Sequence, residues 1–148
     1  MILPIGRLLN FTVFSAVAAT VLAYTAPLPS LAHGNVTPQL VDTTGLKEIG
    51  EDWIMSNPYR DDKLAIEIGS SAYNQNCARC HGLEGRSGGL APDLRFLEAD
   101  DEGDEWYIGR ARNGYNQNGV TKMPAYGELI GQKAIWAIRS YIDSLQED

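Results

Sequence analysis

Only two cysteines occur in this chain of 148 residues, and they stand three apart with a histidine directly after the second: Cys77-Ala78-Arg79-Cys80-His81. No other feature limits the fold as much. One pair of thiols cannot build a multi-disulfide scaffold or a four-thiolate zinc site. A mixed zinc site would need both histidines, and the other, His33, lies far up the chain. A thioredoxin-like dithiol expects a strand–helix–strand setting, and no segment alternates convincingly as a strand. A bare structural disulfide and a covalently held cofactor are the readings left. The length suits one domain with a tail. With 12 Lys and Arg against 19 Asp and Glu, the net charge of −7 opposes nucleic-acid binding, which needs a basic face. No GxxxxGK[ST] or HExxH motif occurs.

The N-terminus reads as an address. Arg7 precedes an apolar run, Leu8 to Ala23, that Asn10, Thr12, Ser15 and Thr20 interrupt. Pro27 and Pro29 end any helix, and Ser30-Leu31-Ala32 offers small residues where a signal peptidase reads. Residues 1–32 are therefore expected to be a secretory signal cut after Ala32. The run is short and too polar for an uncleaved anchor, so no stable membrane insertion is expected after cleavage. The mature chain, 33–148, keeps 11 basic and 19 acidic side chains, a charge of −8. Export places the thiols in an oxidising compartment, where two neighbouring thiols do not stay free by default.

Residues 33–60, with Pro38, Gly45, Gly50 and Pro58, show no sustained period and read as an irregular strap with one turn near Lys47 to Met55. A helical pattern starts at Asp61 or Asp62, either of which suits an N-cap, and Ala65, Ile68, Gly69, Ala72 and Tyr73 form its stripe. Gly69 inside a helix makes sense where another helix approaches closely. Asp104 to Asn113 reads as a second helix stopped at Asn113-Gly114, and about Gln132 to Gln146 as the last, with Ile135, Ile138, Ile142 and Leu145 on one face. The expected class is all-α, a domain over 61–148 with long loops at Cys80 to Gly103 and Gly114 to Gly131. So small a chain with so much loop is commonly completed by something non-protein.

C-x-x-C-H is the attachment signature of c-type haem. Two thiols at that spacing reach the two vinyl groups on one edge of a porphyrin, and the next residue, His81, sits under the iron. The immediate histidine, the export signal and the helical surroundings favour haem over a disulfide. The sixth iron position needs a ligand from the other side. The mature chain has two methionines, Met55 and Met123. Met55 stands in the strap and is expected to be core filler. Met123, in Lys122-Met123-Pro124, is the expected ligand, and thioether sulfur stabilises ferrous iron.

Gly69-x-x-x-Tyr73-x-x-x-Cys77, the CARCH pentapeptide, Ala91-Pro92-Asp93-Leu94, Arg112-Asn113-Gly114 and Met123-Pro124, in this order, resemble a class I c-type cytochrome. The resemblance covers Asp61 to the C-terminus. It implies three to four helices wrapped around one covalent haem c per chain. It places Gly69 and Tyr73 where the first helix crosses the last, and has the carbonyl of Pro92 accept a hydrogen bond from His81. The chain, including His33-Gly34-Asn35-Val36-Thr37-Pro38 and Tyr73-Asn74-Gln75-Asn76-Cys77, is also similar to the periplasmic c-550 group that serves pyrroloquinoline-quinone (PQQ) ethanol dehydrogenases. That resemblance implies a monomeric periplasmic electron carrier and no enzyme. Its donor would be a quinoprotein alcohol dehydrogenase and its acceptor a downstream cytochrome or terminal oxidase. The alternative is a haem enzyme or gas sensor with a labile sixth ligand.

Six acids in the eight residues Glu98 to Glu105 read as a solvated run leading into a helix, with partner steering as the sharper reading. Its spacing does not match an EF-hand. His33 is expected to carry no metal. Most of the Trp and Tyr residues are expected to be core. Arg79 is expected to be exposed, and Arg95 and Arg112 are candidate partners for the haem propionates.

Overall fold

The computed structural model describes residues 37–146. The expected signal peptide, its cleavage after Ala32 and His33 lie outside the described residues. Helix α1 spans Lys63–Asn76, and Asp62 caps it by accepting from the backbone N–H groups of Leu64 and Ala65. A single helical turn, α2, follows at Ala78–His81. Helix α3 covers Asp101–Asn113, with Asp100 accepting from Gly103 N–H at its start and Gly114 ending it at φ 72°. Helix α4 covers Gly127–Asp143 with a break at Gly131 (φ 76°), so its regular part starts at Gln132, where the apolar period begins. Three-residue 3₁₀ turns stand at Leu83–Gly85 and Leu94–Phe96.

The core lies where α1 crosses α4. Its largest buried side chains include Trp136, Tyr73, Ile135, Ile138 and Ile142. An added Cβ at Gly69 would fall 1.9 Å from the carbonyl oxygen of Ala137, so the two backbones touch there. Tyr73 lies one turn on, its ring 5.4 Å from that of Tyr141. The crossing that the resemblance implied at Gly69 and Tyr73 is present.

Several expectations differ, the first being that α3 starts at Asp101, three residues before the expected Asp104. Tyr115–Gln117 and Val120–Met123, β1 and β2, form an antiparallel hairpin inside the expected loop. Asn118 (φ 51°) and Gly119 (φ 77°) make its turn, and Asn-Gly is the dipeptide such a turn favours. The strap's hydrogen-bonded turn falls at Thr43 to Leu46, earlier than expected. Met55 is 49% exposed and is not core filler; the strap buries Leu46 and Tyr59 instead and packs Val41, Ile49, Trp53 and Ile54 against the core.

The strap is held by polar bonds. Gln132 Nε2 donates to the carbonyls of Gly50 and Asp52 at 2.9 Å each. Asn57 N–H and the Arg60 guanidinium both donate to Asp104 Oδ2, at 2.7 and 2.6 Å. Asp104 is fully buried, and its other oxygen accepts from Arg139 Nε at 2.7 Å. The acidic run is therefore not solvated throughout: five of its acids are exposed, and Asp104 is the anchor of a buried ion network.

Candidate haem site

Cys77 closes α1 and opens α2. Its N–H donates to Tyr73 O, and its own carbonyl accepts from His81 N–H at 3.0 Å. The tight turn between the helices puts Cys77, Cys80 and His81 on one short segment. Gly82 then turns the chain at φ 79°, where a Cβ would meet Arg86 O at 1.9 Å. The hydroxyl of Tyr73 donates to Gly82 O at 2.8 Å, so one α1 residue holds both ends of the motif, Cys77 through its backbone carbonyl and Gly82 through its side chain.

The two thiols are free and half-buried. Burial pushes the Cys77 thiol up to about 12, and Cys80 beside it adds to this. It is a neutral thiol rather than a thiolate. The imidazole of His81 makes one hydrogen bond among the described residues, Nδ1 to Pro92 O at 2.8 Å, which is the bond the resemblance implied. With a carbonyl as partner, Nδ1 carries the proton and Nε2 keeps its lone pair. Burial lowers the His81 pKa, only partly offset by Pro92, so the ring stays neutral. A neutral imidazole with an unshared ring nitrogen is a metal ligand.

A groove of about 360 Å³ opens beside Pro92, with Leu94, Leu97 and Trp106 in its lining together with the acids Asp93, Glu98, Asp100 and Glu102. Met123 is half-buried against the same core cluster as Cys77. The segment after it is tied to the motif: Tyr126 donates through its hydroxyl to Asn76 O at 2.8 Å and through its N–H to Ala111 O at 3.0 Å. Burial raises the Tyr126 hydroxyl to about 12, with Cys77 and then Cys80 as the next causes, so this ring borders both thiols. The structure thus gathers the Cys77–His81 turn and the Met123–Tyr126 segment on one core. Two thiols, a neutral imidazole with a free lone pair and a thioether are a donor set that fits haem. Among the described residues no group of three or more His, Cys, Asp or Glu side chains could hold a metal ion by itself.

Arg79 is exposed, as expected. Arg95 forms a fork on Asp93, with Nε–Oδ1 at 3.1 Å and Nη2–Oδ2 at 2.8 Å, and Arg112 stacks over Trp53 at 4.6 Å. Trp136, Tyr107 and Tyr126 are core, whereas Trp106 is exposed. Tyr126 is one of the aromatic residues expected to be core, and its place three residues after Met123 puts its hydroxyl on Asn76 O.

A fold of helices around a C-x-x-C-H turn with these donors defines a small haem protein, and the comparisons with known proteins say which. The family described as "Cytochrome C oxidase, cbb3-type, subunit III" matches residues 64–142. The chain is 56% identical to cytochrome c550 of Pseudomonas aeruginosa over 123 residues, covering 80% of this chain and 85% of that one. It is 30% identical over 82 residues to quinohemoprotein alcohol dehydrogenase ADH-IIG of Pseudomonas putida, covering 55% of this chain and 11% of that protein. It is 27% identical over 139 residues to the dehydrogenase subunit of the quinone alcohol dehydrogenase of Acetobacter aceti, covering 16% of it. No solved structure matches it significantly. The chain belongs to the class I c-type cytochromes. It has their all-α fold, takes haem c, and is an electron carrier rather than an enzyme.

Proposed function

We propose that Cys77 and Cys80 would hold one haem covalently through their thiols and that His81 Nε2 and Met123 Sδ would be its two side-chain iron ligands. The observation that carries this is the His81 ring, held neutral by burial with Nδ1 committed to Pro92 O and Nε2 unshared. Bound there, the haem supplies a one-electron ferric/ferrous couple. The chain's part is to hold and tune it. Pro92 O fixes the imidazole tautomer, and a carbonyl at Nδ1 raises the basicity of Nε2. The Met123 thioether favours the reduced state. With both axial positions filled by side chains, no open position remains for oxygen or peroxide, and this suits a carrier over an enzyme or sensor.

The reading extends to context. Residues 1–32 are a signal peptide, 33–60 a strap and 61–148 the cytochrome domain of a monomeric periplasmic protein. Among the described residues no helix is long and apolar enough to cross a membrane. The donor is a PQQ-dependent alcohol dehydrogenase and the acceptor a downstream cytochrome or terminal oxidase. What supports the donor is the similarity of this chain to short portions of two alcohol dehydrogenases whose names carry a quinone or quinohemoprotein. Contact is brief and small, as redox encounters are.

Mass spectrometry of protein matured in its host tests the attachment. A chain starting at His33 and heavier by one haem is expected, and a colourless chain of bare polypeptide mass refutes it. Stopped-flow reduction by a quinoprotein alcohol dehydrogenase tests the donor. A rate no better than that of an unrelated cytochrome removes the donor and leaves the carrier.

A further inference from the structure

Arg110, on the last turn of α3, is a half-buried cation with no carboxylate in ion-pair range among the described residues. Arg60, Arg95, Arg139 and Lys133 each pair with one. The guanidinium of Arg110 lies instead 4.3 Å from the ring centroid of Tyr115 and 5.6 Å from that of Trp106. Tyr115 opens β1 and is the cross-strand partner of Met123. The residue before it, Gly114, leaves no room for a side chain: a Cβ there would lie 2.5 Å from Met123 O and 2.8 Å from Ala125 N. The Arg110–Tyr115 pair therefore holds the strand against which Met123 is seated.

The two sides of Met123 are secured differently. On its C-terminal side, Tyr126 is bonded to Asn76 and Ala111. On its N-terminal side stands the hairpin, whose Tyr115, Asn116, Gln117, Asn118, Gly119, Val120, Thr121 and Lys122 are all exposed. Its one side-chain hydrogen bond, Thr121 to Asn116, is internal. A two-stranded hairpin is marginally stable alone and needs an outside anchor. The cation–π contact supplies one.

We propose that Arg110 and Tyr115 are positioning residues that hold Met123 at the sixth iron position, setting how often the sulfur leaves it. This rests on the ligation proposed above. A contact of this kind, between a half-buried guanidinium and an exposed ring, is worth roughly two- to fivefold in an opening equilibrium.

The test uses ferric holoprotein and cyanide, which captures the iron whenever the sulfur is off. Arg110→Gln and Tyr115→Leu are expected to raise the limiting capture rate roughly two- to fivefold. Arg110→Lys and Tyr115→Phe, which keep a cation and a ring, should stay near the wild type, as should Val120→Ala on the same hairpin. Gly69→Ala loosens the fold at a distant helix crossing and shows how far general instability alone moves the rate. The proposal is overturned if Arg110→Gln and Tyr115→Leu react no faster than wild type, or no faster than Gly69→Ala, while the wild type shows its sulfur-to-iron charge-transfer band. A wild type without that band removes Met123 as ligand, and this inference with it.

Discussion

Replacing Gly69 by alanine sets two effects of opposite sign against each other. On an isolated helix the change is stabilising by up to about 1 kcal/mol, since glycine is the poorer helix former. In this fold the new methyl carbon would stand 1.9 Å from Ala137 O, 2.5 Å from Ala137 C and 3.0 Å from Tyr141 Cβ. The first two contacts are backbone, so no rotamer change relieves them. The helices must separate by more than about 1 Å, loosening the contacts of Tyr73, Ile138 and Ile142 across the crossing. Overpacking of this sort costs about 1–3 kcal/mol, and a backbone clash belongs at the upper end. The net is a loss of about 2 kcal/mol. For a domain of this size that lowers Tm by on the order of 10 °C. Thermal unfolding of the holoprotein, followed by far-UV circular dichroism, measures it. A Tm equal to or above that of the wild type would refute the claim that α1 and α4 meet backbone to backbone at Gly69.

Met123→Ala should abolish the sulfur-to-iron charge-transfer band and lower the midpoint potential; an unchanged visible spectrum rejects Met123 as ligand. Asp104→Asn strips the buried charge that Arg139 and Arg60 share, and chemical denaturation should show a loss of about 3–5 kcal/mol. Burial raises the Asp143 carboxyl against the lowering pull of Arg139 and Arg60, so the folded state holds this proton more tightly than the unfolded chain does. Stability from that group is present in acid and lost as pH rises through its folded pKa, and Asp143→Asn should remove this slope from a series of melts. Tyr126→Phe deletes the buried hydroxyl that donates to Asn76 O and should cost about 1–3 kcal/mol in urea unfolding.

What the sequence makes legible is what local chemistry decides. The C-x-x-C-H turn, the Asp62 cap, the stop at Gly114 and the apolar face of the last helix each follow from a few adjacent residues or a regular spacing, and each stands where expected. The hairpin was overlooked because strand alternation is weak in Tyr115 to Met123: its first strand is exposed throughout, leaving no buried face to create a period. The Asn118-Gly119 pair was its visible mark. The buried Asp104 was illegible for another reason. Within a run of acids nothing local distinguishes the one whose partners, Arg60 and Arg139, arrive from 44 residues before it and 35 after it. Met55 failed for a related cause, since which strap residue faces inward depends on where Asn57 is pinned.

The same network explains how a loop-rich chain keeps its strap in place. Strap segment 50–60 has little regular structure, yet its backbone reaches α4 through Gln132 and α3 through Asp104. Both anchors are side chains presented by helices, and Arg60 adds a third by joining Asp104 to Asp143. Arg139 lies fully buried between the same two acids, with its guanidinium near the face of Tyr107, whose hydroxyl donates to Ile135 O. Two arginines facing two aspartates leave the group without net charge, which is what makes its burial tolerable. The network thus ties α3, α4 and the strap together from the protein's own groups. The Cys77–His81 turn takes no part in that network.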